Sequence, residues 1–281
     1  MKAFFHLIRF PNLVLIVLSQ LLAQACLLVP GINWGKVLEP GFGLLSLSTV
    51  LIAAAGYIIN DYYDIKIDAI NKPERLVVGT TIRRRPAMFV HLIFSAAGIA
   101  LGFLLSIKIG LINTGAMLLL WGYSARLKKL PLIGNVVVAL LSATMLLVVA
   151  VYANTLNRIT LGYALFAFLI SLIREVIKDM EDLKGDASFD CRTLPIVLGI
   201  RNAKLALYPI IALFFAFLIV VILHSRSSII LDGYMLVLVL LPTAWLTIKL
   251  TRADRKRDFT YLSNLNKLIM LTGILSMLLV G

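Results

Sequence analysis

The stretches "NDYYDIKID" at residues 60–68 and "KDMEDLKGD" at residues 178–186 are where this chain keeps its acidic side chains. Ten of its 14 Asp and Glu lie in or beside them. Asp61, Asp64, Asp68 and Glu74 belong to the first, and Glu175, Asp179, Glu181, Asp182, Asp186 and Asp190 to the second. The runs also superpose, pairing Asp61 with Asp179, Asp64 with Asp182, Lys66 with Lys184 and Asp68 with Asp186. A solvated surface does not distribute its charge in this way.

Around these runs the 281-residue chain is 60% hydrophobic, with a mean hydropathy of +0.97, whereas soluble domains are about 45–50% apolar. Apolar segments recur at 11–30, 42–60, 88–107, 109–122, 133–154, 158–174, 205–224, 229–249 and 265–280. Most reach the ~20 residues that cross ~30 Å of hydrocarbon. The composition therefore predicts an all-α polytopic membrane protein with nine transmembrane helices. The N-terminal run, with Ala23 and Ala25 before Cys26, faintly matches a signal peptide, but it continues through "CLLV" and reads as the first helix.

Charge gives the orientation. With nine spans and a cytoplasmic N-terminus, only Lys36, Lys108, Arg158 and Arg226 of the 27 Lys and Arg fall on the far side. The positive-inside rule favours that arrangement strongly, and it accounts for the net charge of +13 without nucleic acid. The two acidic runs then close the second and sixth spans on the same face. That predicts two parallel four-helix pseudo-repeats plus one helix. No linker or soluble domain interrupts residues 1–281, which read as a single transmembrane domain. Cys26 and Cys191 suggest neither a disulfide framework nor a zinc spacing, and His6, His91 and His224 are scattered.

Carboxylates at i, i+3 and i+7 share one helix face and repel one another. A cation must offset them. Each run carries a lysine, Lys66 or Lys184, so internal salt bridges are one answer. Mg²⁺ is the other, because it binds through a few carboxylates together with phosphate oxygens and water. The basic residues nearby sharpen the second answer. Lys72, Arg75 and Arg83 to Arg85 follow the first run, Arg126, Lys128 and Lys129 lie in a neighbouring loop, and Arg174, Lys178 and Arg192 flank the second run. Carboxylates, Mg²⁺ and Arg or Lys together suit a diphosphate. Positive-inside anchoring alone explains Arg83 to Arg85.

These motifs resemble the UbiA superfamily of intramembrane prenyltransferases. "NDYYDIKID" fits its N-D-x-x-D-x-x-x-D motif at Asn60, Asp61, Asp64 and Asp68. "DMEDLKGD" fits its second motif at Asp182 and Asp186, with Asp179 leading it. "YSARLKKLPLIGN" is similar to its Y-S-x-x-L-K loop at Tyr123, Ser124, Leu127 and Lys128, and "RFPN" to the start of its first helix at Arg9 and Asn12. The chain departs at Leu76, where a second proline is common, and at Asp190 and Cys191, near a common glycine. Both departures bear on substrate subtype.

The resemblance implies transfer of a prenyl chain from a polyprenyl diphosphate to an acceptor. Asp61, Asp64, Asp68, Asp179, Asp182 and Asp186 would be the Mg²⁺ ligands. Lys72, Arg75, Lys128 and Lys178 would stabilise the departing pyrophosphate, with Asn12, Asn60 and Tyr123 completing its site. Tyr62, Tyr63, Trp121 or Tyr123 would face the allylic cation. "REVIKDMEDLKGD…RTLPIVLG" most resembles the branch that adds geranylgeranyl to geranylgeranylglyceryl phosphate. An aromatic acceptor of the quinone, tocopherol, chlorophyll or haem O kind is the alternative. A cation-coupled transporter and a lipid-binding scaffold are readings from other classes. Transporter carboxylates sit near the bilayer midplane, however, and these sit at helix ends on one side.

Overall fold

The structure, a computed structural model, describes residues 2–28, 31–224 and 229–280. Among them the regular elements are helices, with one isolated bridge between Val78 and Ile82. In chain order they are α1 (Lys2–Leu7), α2 (Phe10–Cys26), α3 (Pro40–Asn71), α4 (Arg84–Leu105), α5 (Ile107–Ala125), α6 (Ile133–Tyr152), α7 (Arg158–Glu181) and α8 (Leu183–Ala187). Then come α9 (Leu194–His224), α10 (Ile229–Met235), α11 (Leu241–Thr251) and α12 (Lys256–Leu275), with a π-helical turn at Leu236–Leu240 fusing α10 to α11.

Among the described residues, seven helical stretches are long and apolar enough to cross a membrane: Pro40–Asn71, Arg84–Leu105, Ile133–Tyr152, Arg158–Glu181, Leu194–Leu223, Ile229–Thr251 and Lys256–Leu279. The protein is an integral membrane protein. Phe10–Cys26 is apolar but shorter, at 17 residues. Large apolar side chains such as Leu38, Leu104, Ile107 and Leu223 lie open on the outside, as a lipid-facing surface requires.

Polar caps set the breaks in the long apolar runs. Ser106 ends the run through α4 and accepts a hydrogen bond from the Ile109 amide at 3.2 Å, starting α5. Asn157 does the same for α7, accepting from the Thr160 amide at 2.8 Å. Gly199, at φ 78°, kinks α9.

The second acidic run departs from expectation. The first run lies wholly inside α3, so its carboxylates share one face. The second is divided, because α7 ends at Glu181, Asp182 is the junction, and Asp186 lies on α8. The reason is tertiary. Asn71 Nδ2 at the end of α3 donates to the Asp182 carbonyl at 2.9 Å, and the Gly185 amide donates to Asn71 Oδ1 at 2.9 Å. This pair of bonds holds the chain in a turn that a continuous α7 would not make.

Packing follows membrane rules, with small residues where backbones approach. α3 packs on α4 and α5, while α7 packs on α6, α9 and α12. One core joins α7 to α9–α12 around Phe166, Ile173, Phe214 and Phe259. A second joins α2 to the start of α3 and to α5 and α6. A third sits under the acidic end, around Leu7, Leu13 and Ile58. A Cβ on Gly98 of α4 would lie 2.9 Å from Ile52 and 3.0 Å from the Ser48 carbonyl oxygen of α3. Gly98→Ala is expected to cost about 1–3 kcal/mol through overpacking. Its thermal unfolding midpoint in detergent should fall below that of wild type, whereas Gly115→Ala, which meets nothing within 4 Å inside α5, should hold or raise the midpoint.

Candidate active site

The N-terminal end of α2 and the C-terminal ends of α3, α5 and α7 meet around a cavity of about 610 Å³. Asp61, Asp64 and Asp68 line it from α3, and Asp179, Asp182 and Asp186 from α7 and α8. Asn12, Asn60, Tyr123, Lys72, Lys128 and Lys178 line it as well. Every metal or diphosphate ligand expected from the sequence, Arg75 apart, therefore borders this one space. Arg75 lies in the short turn at Pro73–Arg75, and its side chain is outside the described residues.

Three ion pairs divide the carboxylates among separate cations. Lys128 Nζ is 2.5 Å from Asp64 Oδ1, Lys72 Nζ is 2.6 Å from Asp182 Oδ2, and Arg9 Nη2 is 2.9 Å from Asp61 Oδ1. Lys128 and Asp64 are only 11% and 13% exposed, so removing either would leave its partner buried and unpaired. The lysines within the runs do not serve. Neither Lys66 nor Lys184 makes an ion pair among the described residues, contrary to the salt-bridge expectation. Each stands two positions beyond an aspartate, and i, i+2 side chains on a helix do not face each other.

Local backbone geometry brings the cations in. Arg9 has φ 50°, a left-handed conformation that a non-glycine residue adopts at a cost of about 1–3 kcal/mol. That turn separates α1 from α2 and lays the guanidinium 5.0 Å from the Tyr57 ring centroid, against Asp61. Lys128 sits in a tight turn (Leu127–Lys129) closed by Gly134. A Cβ on Gly134 would lie 2.7 Å from the Lys128 Cα. The Arg192 amide donates to the Lys129 carbonyl at 2.8 Å, fastening this turn to the chain after α8.

The remaining carboxylates are held less firmly. Asp179 accepts from Asn135 Nδ2 at 2.9 Å. Asp182 Oδ1 is buried without a hydrogen-bond partner. Burial, aided by the charges of Asp182 and Asp64, pushes Asp186 up to about 7. Burial and the Lys178 charge lower Lys72, and Asp182 works against that. One helix turn before Asp179, Glu175 is buried and pairs with Arg174 at 2.6 Å.

The acidic donor set and the orphaned Asp182 oxygen suit a hard divalent cation. Among the described residues no three His, Cys, Asp or Glu side chains converge into a ready-made metal site. Mg²⁺ is compatible with that, since it keeps several waters and completes its shell with phosphate oxygens.

Some expectations about aromatic residues need correction. Of the four candidates, only Tyr123 lines the cavity. Trp121 Nε1 donates to Tyr63 Oη at 3.3 Å on the exposed side of α3 and α5, and Tyr62 lies under the Arg84 guanidinium, 4.7 Å away. Their position on α3 turns them from the carboxylate face. Other contributors went unnoticed in the sequence. Asn135 had no motif beyond the quoted loop. On α12, Lys256 Nζ donates to the Asn71 carbonyl and Thr260 Oγ1 to Glu181 Oε1 at 2.8 Å, so this helix clasps the ends of α3 and α7.

A family model described as the UbiA prenyltransferase family matches residues 17–268. Curated relatives include the digeranylgeranylglyceryl phosphate synthase of Pyrococcus abyssi, 40% identical over 166 residues that cover 58% of each chain. The protein of the same name from Hyperthermus butylicus is 33% identical over 223 residues, covering 76% of this chain and 73% of that one. The match thus spans less than two thirds of the Pyrococcus relative. Two solved structures share the fold. A UbiA homolog from Archaeoglobus fulgidus bound to GPP and Mg²⁺ aligns with a TM-score of 0.71 at 20% identity, over 98% of this chain and 99% of that one. A structure described as giving insights into digeranylgeranylglyceryl phosphate synthase in membranes aligns at 0.70 and 22%, over 99% and 98%.

The Asn71 clamp makes a direct prediction. Asn71→Ala removes the acceptor of the Gly185 amide, a bond worth about 0.5–1.5 kcal/mol. Hydrogen exchange across residues 183–187 should accelerate roughly tenfold, while the α3 core around Ile58 keeps its protection. Unchanged exchange at 183–187 would show that the turn holds itself.

Proposed function

The chain belongs to the UbiA prenyltransferase family, and from that membership we propose that it transfers a prenyl group from a polyprenyl diphosphate to a lipid acceptor. The substrates proposed are a geranylgeranyl donor and geranylgeranylglyceryl phosphate or a related glycerol-phosphate lipid. The observation that carries the activity is the convergence of six aspartates and five lysines on one cavity at the end of an apolar bundle. The acceptor rests on the names of the curated relatives.

Asp61, Asp64 and Asp68, with Asp179, Asp182 and Asp186, are the residues that would hold Mg²⁺. When bound, the metal would neutralise the donor's diphosphate and polarise its bridging oxygen. Lys72, Lys128 and Lys178 stabilise the charge that grows on pyrophosphate as the C1–O bond breaks and the electron pair leaves with it. Asn60 and Asn12 orient the diphosphate, and Tyr123 presents its ring at the cavity wall. The acceptor hydroxyl oxygen bonds to C1 and gives up its proton to the departing pyrophosphate. The two lysines now paired with Asp64 and Asp182 exchange carboxylate for phosphate oxygens as substrate arrives, so their charge is already in place.

The reading extends to architecture. We take Phe10–Cys26 and Ile107–Ala125 as spans alongside the seven longer helices, giving nine. In that scheme α2–α5 and α6–α11 are two parallel repeats of four, α12 is the extra helix, and residues 1–281 form one domain. In favour of the repeats, α3 and α7, which carry the matched runs, are the most buried candidate spans at 56% and 61%, against 22–50% for the others. We take the N-terminus and the cavity mouth to face the cytoplasm across the cell's plasma membrane, a reading that the basic loops favour.

Purified protein given Mg²⁺, geranylgeranyl diphosphate and the glycerol-phosphate acceptor should release pyrophosphate, and EDTA should stop the release. Asp64→Ala and Asp182→Ala should each lower turnover at least ~100-fold, the scale of losing a metal or charge-stabilising contact, at wild-type expression. No release with phosphoglycerol, aromatic or haem acceptors would sink the assignment. For topology, a cysteine replacing Lys129 should be labelled only from the cytoplasm, and one replacing Lys36 only from outside.

A further inference from the structure

A second pocket, of about 420 Å³, lies beside the catalytic cavity on the adjacent side of α3. Asp64, Ile67 and Lys128 line both spaces, so the Lys128–Asp64 ion pair forms part of the wall between them. On the far side of that wall, Lys66, Arg84 and Lys129 border the second pocket. None of these three makes an ion pair with a carboxylate among the described residues, and the one carboxylate in the lining, Asp64, is already matched by Lys128. The pocket is therefore strongly cationic, with no internal counter-charge.

Its other walls are apolar: Ile65, Tyr62, Tyr63 and Phe189. Arg84 is held rather than loose, since its guanidinium lies 4.7 Å from the Tyr62 ring centroid. The turn that carries the chain past the pocket needs Gly79, at φ +91°, packed against Ile65. Positive-inside topology accounts for basic residues on this face of the membrane, but not for their convergence on one concavity that adjoins the reacting centre.

We propose that this pocket holds the phosphate of a phosphomonoester lipid, the acceptor, with its apolar walls against the glyceryl carbons. The proposal rests on the glycerol-phosphate reading above and deepens it. A phosphomonoester carries about −1.5 to −2 charges at neutral pH, which three uncompensated cations match better than the single charge of a diester headgroup. Charge-assisted hydrogen bonds from Lys and Arg are the contacts expected. The placement gives the two phosphates of the reaction separate sites, with the donor's diphosphate among the aspartates and the acceptor's phosphate outside them. The acceptor's phosphate then sits across the Lys128–Asp64 wall from the donor's diphosphate, with Asp64 the one proposed metal ligand that borders both spaces.

The test uses Lys66→Gln/Arg84→Gln in the full-length protein. KM for the phosphorylated acceptor should rise roughly tenfold or more, the effect of losing charge-assisted contacts. KM for the prenyl diphosphate, and kcat at saturating acceptor, should not change. A parallel rise in the donor KM, or an unmoved acceptor KM, would overturn the proposal. Binding is read independently in a Trp34→Phe/Trp245→Phe background, where Trp121, bonded to Tyr63 of the pocket, is the sole tryptophan. Monoalkylglyceryl phosphate should shift its fluorescence at a concentration at least tenfold lower than monoalkylglycerol, phosphatidylglycerol or inorganic phosphate, and the double variant should remove that preference. Equal saturation by the alcohol would make the pocket merely apolar, by phosphatidylglycerol a bulk-lipid site, and by inorganic phosphate a free-anion site, each of which overturns the assignment. Absence of wild-type turnover on the phosphorylated acceptor would instead count against the acceptor reading, because the fluorescence titration needs no catalysis.

Discussion

Six carboxylates bordering one cavity at the end of an apolar bundle are the constraint on which the rest of the molecule depends. They repel one another, and burial raises the cost of keeping them charged. The chain answers with cations delivered from outside the acidic runs. Arg9 arrives through a left-handed turn, Lys72 from just past the end of α3, and Lys128 from a turn closed tightly enough to exclude a side chain at Gly134. The delivery of Arg9 uses a backbone conformation that would otherwise be costly. The charge requirement therefore accounts for the left-handed turn at Arg9 and the close approach at Gly134.

Much of this was legible in the sequence, because the signals were strong and local. Apolar segments near the length of a bilayer, the one-sided distribution of Lys and Arg, and matched aspartates at helical spacing all reflect physics that acts within a few residues. The acidic and basic residues that border the cavity were nameable for the same reason, whereas Asn12, Asn60 and Tyr123 came only with the family resemblance. What escaped was set by contacts distant in sequence. The break at Asp182 depends on Asn71, more than a hundred positions earlier, and nothing within "KDMEDLKGD" signals it. The Arg9–Asp61 pair spans 52 positions. The failure of Lys66 and Lys184 as partners was, by contrast, readable. An i, i+2 spacing turns a lysine away from the aspartate it follows. The same rotation carries Tyr62 and Tyr63 to the outer side of α3, where their rings serve Arg84 and Trp121.

The ion pairs give the cavity a defined resting arrangement. A carboxylate facing lysine is stable enough to persist, yet the lysine has equal reason to face a phosphate. The site is built with its charges nearly balanced, and an arriving anion and its metal redistribute partners without creating charge in a low-dielectric space. Asp186 and the orphaned oxygen of Asp182 are the places where that balance is incomplete, and both sit on the run that the Asn71 clamp bends.

The clasp by α12 has a consequence for how the protein is made. Lys256 reaches the last carbonyl of α3 across 185 positions, and Thr260 binds the last residue of α7. Both acidic helix ends are synthesised and inserted well before the element that fastens them. During translation the two charged rows must wait, unfastened, at the membrane surface until the final helix enters. Assembly of the cavity is therefore a late event in biogenesis, and a chain stalled before α12 would hold the reactive residues without the fastening that positions them.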